Sequence, residues 1–343
     1  MDYPDDMKTS LGILAHNEES GIALTLGDLW KQTWLTSGAS VEVLCVVNGS
    51  RDRTAEVARD FFAAHPLSGV TARVIELERA GKANAWNEFV HRLSATDATL
   101  LFLVDADIAL PETDTLKRLA TALKKNPAAV VSVDQPVKDL TLRGDAGMKA
   151  RLSRAAADLA AAGPPKLCGQ LYAARADALR RIRVPEGLLV EDGFIKAMLL
   201  TDNFRIPEDL SRIVRADGAW HVFEAESKAS TLWRHERRIL IGTVINIILF
   251  RDLQQAAAKG ENIAERIRVR NEQSPDWVAR EVGVRWREIF GATVWETVGL
   301  PLRQWKQAGR PFRLFSGVLA RAVFNAIAAF SAWRELRHRR FEW

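Results

Sequence analysis

Between Leu11 and Lys124 short apolar runs alternate with longer stretches of helical character. The apolar runs are Leu11–Ala15, Val41–Val47, Ala72–Leu77 and Thr99–Val104. Each precedes a helical segment, in turn Glu18–Thr36, Arg51–Ala64, Lys82–Leu93 and Glu112–Lys124. Runs continuous in Val, Leu and Ile fit strands covered on both faces, and a helix between successive strands makes βαβ units. The pattern therefore predicts an α/β fold, a mostly parallel sheet flanked by helices. After Ala128–Val133 the pattern loosens. Gly163-Pro164-Pro165 marks a loop, Leu167–Ala174 reads as a strand and Asp192–Leu200 as a short helix. From about Ser227 the pattern is helical, broken near Lys259-Gly260, Pro275, Pro301 and Pro311. There is no internal repeat and no low-complexity segment.

Composition changes this picture little. With 343 residues, 48% hydrophobic and 27% charged, the chain has material for one large domain with an appendage, or for two domains, and disorder throughout is excluded. Cys45 and Cys168 both sit in apolar stretches, as buried thiols of a reducing compartment would, with neither metal-ligand spacing nor a disulfide framework. Met1–Ser10, with Asp2, Asp5 and Asp6 and no apolar core, does not read as a secretory signal. Charge is uneven. Residues 301–343 hold nine Lys/Arg against Glu335 and Glu342, a local +7 in a chain of +5. A basic tail on a near-neutral body points to an anionic partner, with a solvated helical face as the plain alternative.

In open parallel sheets ligands bind beyond the carboxyl ends of the strands, so the residues after each run carry the chemistry. After Thr99–Val104 comes Asp105-Ala106-Asp107. Two carboxylates spaced by one converge on one side of an extended chain and suit a hard divalent cation, Mg2+ or Mn2+. After the first run comes Ala15-His16-Asn17-Glu18-Glu19, and after the second Asn48-Gly49-Ser50-Arg51-Asp52-Arg53-Thr54. After the third comes Arg79-Ala80-Gly81-Lys82-Ala83-Asn84, where a glycine allows close approach and Lys82 can meet phosphate at a helix N-terminus. Helix capping by Asn17, Ser50 and Asn84 is the structural alternative. Glu191-Asp192 follows the apolar Leu188-Leu189-Val190 and opens a helical stretch, either as a cap or as a general base. Gly169, beside Gln170, would let a ligand approach the backbone, or would mark a bend in a strand.

The ordered set "LAHNEES", "VVNGSRDRTAEVAR", "GKANAWNE", "LVDAD", "LCGQLYAARADAL" and "VEDGF" resembles glycosyltransferase family 2, whose fold is GT-A. The resemblance covers roughly residues 9–200. It implies an inverting transferase with an NDP-sugar donor and a divalent metal, Mn2+ or Mg2+. Ala15, His16, Asn17, Glu18 and Asn48 would line the donor's nucleoside pocket. Lys82 and Ala106 would adjoin the donor, and Asp105 with Asp107 would hold the metal. Asp192 would be the base, next to Glu191. The family often has a tyrosine at His16 and an aspartate pair at Val47-Asn48, which leaves the nucleobase, uracil or guanine, open. The Gln-x-x-Arg-Trp motif of processive synthases is replaced by Trp233-Arg234-His235-Glu236-Arg237-Arg238, which argues for transfer of a single sugar. Gly169, Gln170, Arg234 and Arg237 are candidates for acceptor or phosphate contacts. His221 and His235 are weaker candidates for late metal or phosphate ligands.

The expected layout is a GT-A catalytic domain over 1–226, with a nucleotide-sugar half at about 9–125 and an acceptor half at about 126–226, followed by a helical, basic region over 227–343. Ile239–Phe250, about twelve residues, is too short to span a bilayer and suits a buried or interfacial helix. Leu314–Trp333 is nearly long enough, yet holds Arg321 and Asn325, and a central arginine costs about 2.5–3.5 kcal/mol on insertion. Flanking arginines with Trp305, Trp333 and Trp343 suit a helix lying in the headgroup layer; packing on the catalytic domain is the alternative. The expectation is a hexosyl- or N-acetylhexosaminyltransferase, UDP-sugar favoured, acting on a lipid, lipid-linked or glycan acceptor in cell-envelope glycan or glycolipid synthesis. It would sit peripherally at the cytoplasmic face of an anionic membrane, with no nucleic acid partner. The rivals are a silent nucleotide-sugar-binding or membrane-docking protein, and a sugar nucleotidyltransferase. The latter would want a glycine-rich phosphate loop, which Leu14–Ser20 lacks.

Overall fold

The computed structural model describes residues 8–36, 40–139, 163–224, 229–287, 289–291, 325–327 and 329–335, with side chains masked at 229–232. The chain divides into two compact units, Met1–Val184 with Ile195–Ala225, and Pro185–Phe194 with Glu226–Trp343.

The first unit is built on one eight-stranded sheet. Its strands are β1 (Thr9–Ala15), β2 (Val41–Asn48), β3 (Val70–Leu77), β4 (Leu100–Asp105), β5 (Ile108–Ala109), β6 (Val131–Lys138), β7 (Leu171–Arg175) and β8 (Ile213–Phe223). They lie side by side in the order β3-β2-β1-β4-β7-β6-β8-β5. The four apolar runs became β1 to β4, paired in parallel throughout. Beyond β4 the sheet is mixed. Strand β7 is entered from Cys168–Gln170, at the carboxyl end of β4, so it runs back antiparallel to β4 and to β6. Strand β8, which the sequence pattern did not mark, pairs in parallel with β6 and antiparallel with β5.

Helices α1 (Ile22–Trp30), α2 (Thr54–Ala64), α3 (Lys82–Glu88), α4 (Thr115–Lys125) and α5 (Ala176–Arg180) belong to this unit, and α3 continues as a π-helical turn over Phe89–Leu93. On one face of the sheet, Leu11, Ile13, Val43, Cys45, Phe102 and Val104 pack with Ile22, Leu26 and Leu29 of α1 and Leu116, Leu119 and Leu123 of α4. Full burial of each large side chain contributes about 1.5–3 kcal/mol. On the other face the Phe89 ring lies against β1 where a side chain on Gly12 would otherwise project, 2.7 Å from a Cβ built there. Both cysteines are free thiols; Cys45 is buried and Cys168 partly so.

In the second unit α7 (Ala229–Ala258) is followed by α8 (Ile263–Gln273) and a helical stretch over 277–287. Asn262 caps α8 by accepting from Glu265 N at 3.2 Å. Ile239–Phe250 falls in the middle of α7, where Leu240, Ile241, Val244, Ile245, Ile248 and Leu249 form a buried stripe at helical spacing. Trp233–Ala258 is long and apolar enough to cross a membrane, but more than half of its apolar window is buried inside the protein. Helix α6 (Glu191–Leu200) starts in the segment Pro185–Phe194. Val190 of that segment lies against Gly242, 2.4 Å from a Cβ built there, and Asn246 Nδ2 donates to Val190 O at 3.1 Å. Of Leu314–Trp333, residues 325–327 and 329–333 are described and helical, with Asn325, Ala329 and Ala332 buried and Ile327 and Phe330 exposed. The rest of that run, the tail's Arg303, Lys306, Arg310, Arg313, Arg321, Arg337, Arg339 and Arg340, and residues 1–7 lie outside the described residues.

Candidate functional site

The turns after β1 and β2 are stitched to each other. Asn17, left-handed at φ 55°, donates its N–H to Ser50 Oγ at 2.9 Å and accepts from Arg51 N at 2.9 Å. Glu18 N donates to Thr54 Oγ1 at 2.7 Å, and Glu19 N to Asp52 Oδ2 at 3.1 Å. Helix α1 begins after this stitched turn, at Ile22 and not near Glu18. Asn17 and Ser50 are therefore cross-loop ties, not helix caps. Asn84 is no cap either: it grips Arg79, accepting from Nη2 at 2.7 Å and donating to the carbonyl at 3.0 Å.

Asn48, at the end of β2 and only 4% exposed, joins three strand ends. Its Nδ2 donates to Ala15 O at 2.8 Å and its Oδ1 accepts from Gly81 N at 3.0 Å. The main-chain oxygen of Asn48 accepts from His16 Nδ1 at 2.7 Å, which leaves Nε2 to accept from Asn17 Nδ2 at 2.9 Å. The His16 ring is exposed in that fixed orientation. Beside it Gly49, at φ 60°, passes so close to Ala80 that a Cβ would lie 2.6 Å from its nearest atom.

At the end of β4, Asp105 is partly buried and Asp107 exposed. Lys82 Nζ, at the start of α3, donates to Asp105 Oδ2 at 2.7 Å and to Gly169 O at 3.3 Å. Asp105 N donates to Gln170 O at 2.8 Å, and Ala106 N to Leu14 O at 3.3 Å. The carbonyls of Ala106 and Ile108 share the Thr25 hydroxyl of α1, at 2.7 and 2.9 Å. The acidic turn is thus pinned on both sides while its carboxylates stay accessible. Burial, and then the charges of Asp107, Asp52 and Asp105, push the Glu18 carboxyl up to about 7. Several acids crowd one place. Their oxygens are hard donors, and the excess negative charge suits a divalent cation. Among the described residues no three or more His, Cys, Asp or Glu side chains form a metal cluster. A cation at Asp105 and Asp107 would therefore take further ligands from a bound molecule or from water.

Ala15, His16, Asn17, Glu18, Asn48, Lys82, Asp105, Ala106, Asp107, Gly169 and Gln170 all belong to the first unit. Glu191, Asp192, Arg234 and Arg237 belong to the second. Asp192 lies inside the first turn of α6 and accepts from its neighbour Gly193 N at 2.7 Å. Arg234 is exposed, whereas Arg237 pairs with Glu335 and lies over the Trp233 ring, 4.9 Å from its centroid.

One constellation joins His221 and Gln170, each a candidate on its own in the sequence, to Asp134, which the sequence did not mark. His221 of β8, fully buried, shares a 2.6 Å hydrogen bond from Nδ1 to Asp134 Oδ2 of β6, and its Nε2 lies 3.2 Å from Gln170 Oε1. Cys168 Sγ donates to the same Oε1 at 3.3 Å. The pair exists because β8 bulges: Val133 faces Arg215 but Gln135 faces Trp220, so the turn through Gly218, at φ 70°, re-aims the strand. Aspartate and histidine on neighbouring strands 87 residues apart give no local signal.

Residues 10–168 match the model of glycosyl transferase family 2. None of the curated proteins compared matches the chain. Among solved structures, the mannosyltransferase of Pyrobaculum calidifontis in complex with GDP-Man and Mn2+ is similar at TM-score 0.55 and 17% identity, over 95% of this chain and 88% of that one. Glucosyl-3-phosphoglycerate synthase of Mycobacterium tuberculosis, in complex with Mg2+ and UDP, aligns at TM-score 0.47 and 18% identity, over 70% and 79%. The first of these likenesses shows a shared GT-A fold.

Proposed function

We propose that this chain, which carries a glycosyltransferase family 2 domain over residues 10–168, transfers a single hexose or N-acetylhexosamine from an NDP-sugar to a hydroxyl with inversion. UDP-sugars are favoured, and the acceptor is a lipid or lipid-linked glycan. The observation that carries the reading is the accessible carboxylate turn at the end of buried β4, faced by Lys82 and pinned to Gln170, Leu14 and Thr25. His16, Asn17 and Glu18 would receive the nucleoside, with Asn48 holding their backbone in place. Asp105 and Asp107 would hold Mg2+ or Mn2+, which when bound neutralises diphosphate charge and stabilises it as a leaving group. Lys82, now on Asp105, would share its ammonium with the phosphates. Asp192 would accept the hydroxyl proton as the oxygen attacks the anomeric carbon from the face opposite the departing diphosphate. Glu191 would add negative potential beside it.

The basic tail, with exposed Ile327 and Phe330, supports peripheral attachment to the anionic cytoplasmic face of a membrane. A role in cell-envelope glycan or glycolipid synthesis follows from that location. The test is a thermal-shift screen of UDP- and GDP-sugars with and without Mn2+, followed by donor hydrolysis. A stabilising shift that needs both donor and cation, and that is lost in Asp107→Ala, is expected. Donor turnover by Asp107→Ala in EDTA at the wild-type rate would overturn the assignment.

A further inference from the structure

Glu191 and Asp192 sit on a segment that is anchored within the helical unit. Pro185–Phe194 belongs to that second unit. Glu186 N donates to Asn271 Oδ1 of α8 at 3.1 Å, and the same oxygen accepts from Trp277 Nε1 at 2.8 Å. Gly187, left-handed at φ 94°, lies against Val278, and Leu188 and Leu189 are buried.

The acidic pair itself is bracketed by one face of α7. Gly242, Asn246 and Phe250 follow each other at four-residue spacing, so they share that face. Gly242 is a notch for the Val190 side chain, which a methyl group there would overlap. Asn246 Nδ2 donates to Val190 O at 3.1 Å, and a Cβ on Gly193 would lie 3.4 Å from the same nitrogen. The Phe194 ring lies 5.8 Å from the Phe250 ring, centroid to centroid. Val190, Gly193 and Phe194 thus hold Glu191 and Asp192 from both sides, and Gly193 N is a donor to the Asp192 carboxylate.

Asn246 is an expensive way to make this contact. A carbonyl oxygen only accepts, so the amide nitrogen must face Val190 O and the orientation of the side chain is fixed. Its oxygen is left over: Asn246 is only 8% exposed, and Oδ1 is buried with no hydrogen-bond partner among the described residues. Such an oxygen weakens a fold, and an apolar side chain would not carry it. Stability alone does not account for an asparagine here.

We propose that Asn246 is a positioning residue for Asp192, and that α7 is the rigid support of the base. The inference rests on the base reading above. Proton transfer needs the carboxylate within hydrogen-bond reach of the attacking hydroxyl, so a loosened turn lowers the rate without touching the donor.

The experiment compares wild type, N246L, D192N and N246L/D192N as full chains. Leucine keeps the branched shape but donates nothing and lacks the unpartnered oxygen, so the melting temperature should stay near that of wild type. Amide hydrogen exchange over 187–195, read in EDTA without nucleotide, should quicken by about 3–10-fold, the worth of one neutral hydrogen bond, while β1 to β4 stay as protected as before. In Mn2+-dependent hydrolysis of UDP-glucose and GDP-mannose, where water takes the acceptor's place, kcat should fall by a similar factor of about 3–10 with KM and UDP affinity unchanged. N246L/D192N should be no slower than D192N, because the asparagine acts through the aspartate. Unchanged exchange over 187–195 would show that Asn246 does not hold the turn. Faster exchange with wild-type kcat would reduce it to a structural contact, and an equal further loss in the D192N background would place its effect elsewhere; each overturns the proposal. If N246L unfolds, N246A takes its place, and unfolding of both would make Asn246 a strut of the fold and overturn the proposal as well. Wild-type hydrolysis by D192N would instead defeat the base reading, whatever the exchange shows.

Discussion

Asn48→Ala separates two roles that one residue could play at the nucleoside end. In the structure its amide is used on the protein itself, in a buried bond to Ala15 O and a part-buried one to Gly81 N. Truncation leaves the Ala15 carbonyl without this donor at a buried position, which costs about 1–3 kcal/mol. It also frees the Gly81 N–H, which water can reach, at about 0.5–1.5 kcal/mol. A loss of about 1.5–4.5 kcal/mol corresponds to roughly 3–18 °C in melting temperature for a unit of this size. Asn48→Asp should do nearly as badly. The new carboxylate can still accept from Gly81 N, but it faces the Ala15 oxygen where a donor stood. Differential scanning calorimetry in EDTA, without nucleotide, reads the effect directly, and donor affinity should fall only as the loops come loose. An unchanged melting temperature together with lost UDP-sugar affinity would show that the side chain reads the nucleoside and is no strut.

Asp192→Asn keeps its shape but cannot take a proton, so transfer should fall by about 10²–10⁴-fold with donor affinity preserved; equal loss of donor binding would rule it out as the base. Glu18 has its folded pKa raised from 4.5 to about 7 by burial and then by neighbouring acids, so between these values the folded state holds a proton that the unfolded state has released. In EDTA its contribution therefore falls as pH rises from about 4.5 to 7, and Glu18→Gln should flatten that part of the melting-temperature profile; an unchanged slope would contradict the shift. Gly49→Ala must place a Cβ at φ 60° against Ala80, and should cost at least 1–2 kcal/mol from the left-handed backbone alone, read as a lower melting temperature. Anionic liposomes should float the full chain at moderate salt where neutral ones do not; indifference to lipid charge would remove the basic tail as an anchor.

The strands β1 to β4 and the polar turns after them were legible because a strand buried on both faces must be apolar along its whole length. The carboxylate turn was legible for the same reason, as a break in such a run. Strand β8 was not. Arg215, Asp217 and Gly218 interrupt it, and the interruption is the bulge itself. Strand β5 is two residues long and exists only through pairing with β8, so no local pattern could show it. The sequence marked Asn48 and Ser50 as polar groups at strand ends. Whether such a group faces a ligand or a neighbouring loop depends on how the turn after β3 folds back, and that is a long-range fact.

The pairing of Ile108 with Phe223 and Ala109 with Val222 has a consequence for the order in which the molecule is made. On a ribosome, β1 to β4 emerge early and their parallel pairs can condense, while the stretch immediately after Asp107 must wait more than a hundred residues for its sheet partner. A nascent chain stalled before β8 would own every residue of the stitched turns, yet the Ile108–Ala109 stretch beside its acidic turn would have no sheet partner. That turn would then gain its last support late, with synthesis of the last few residues of one bulged strand.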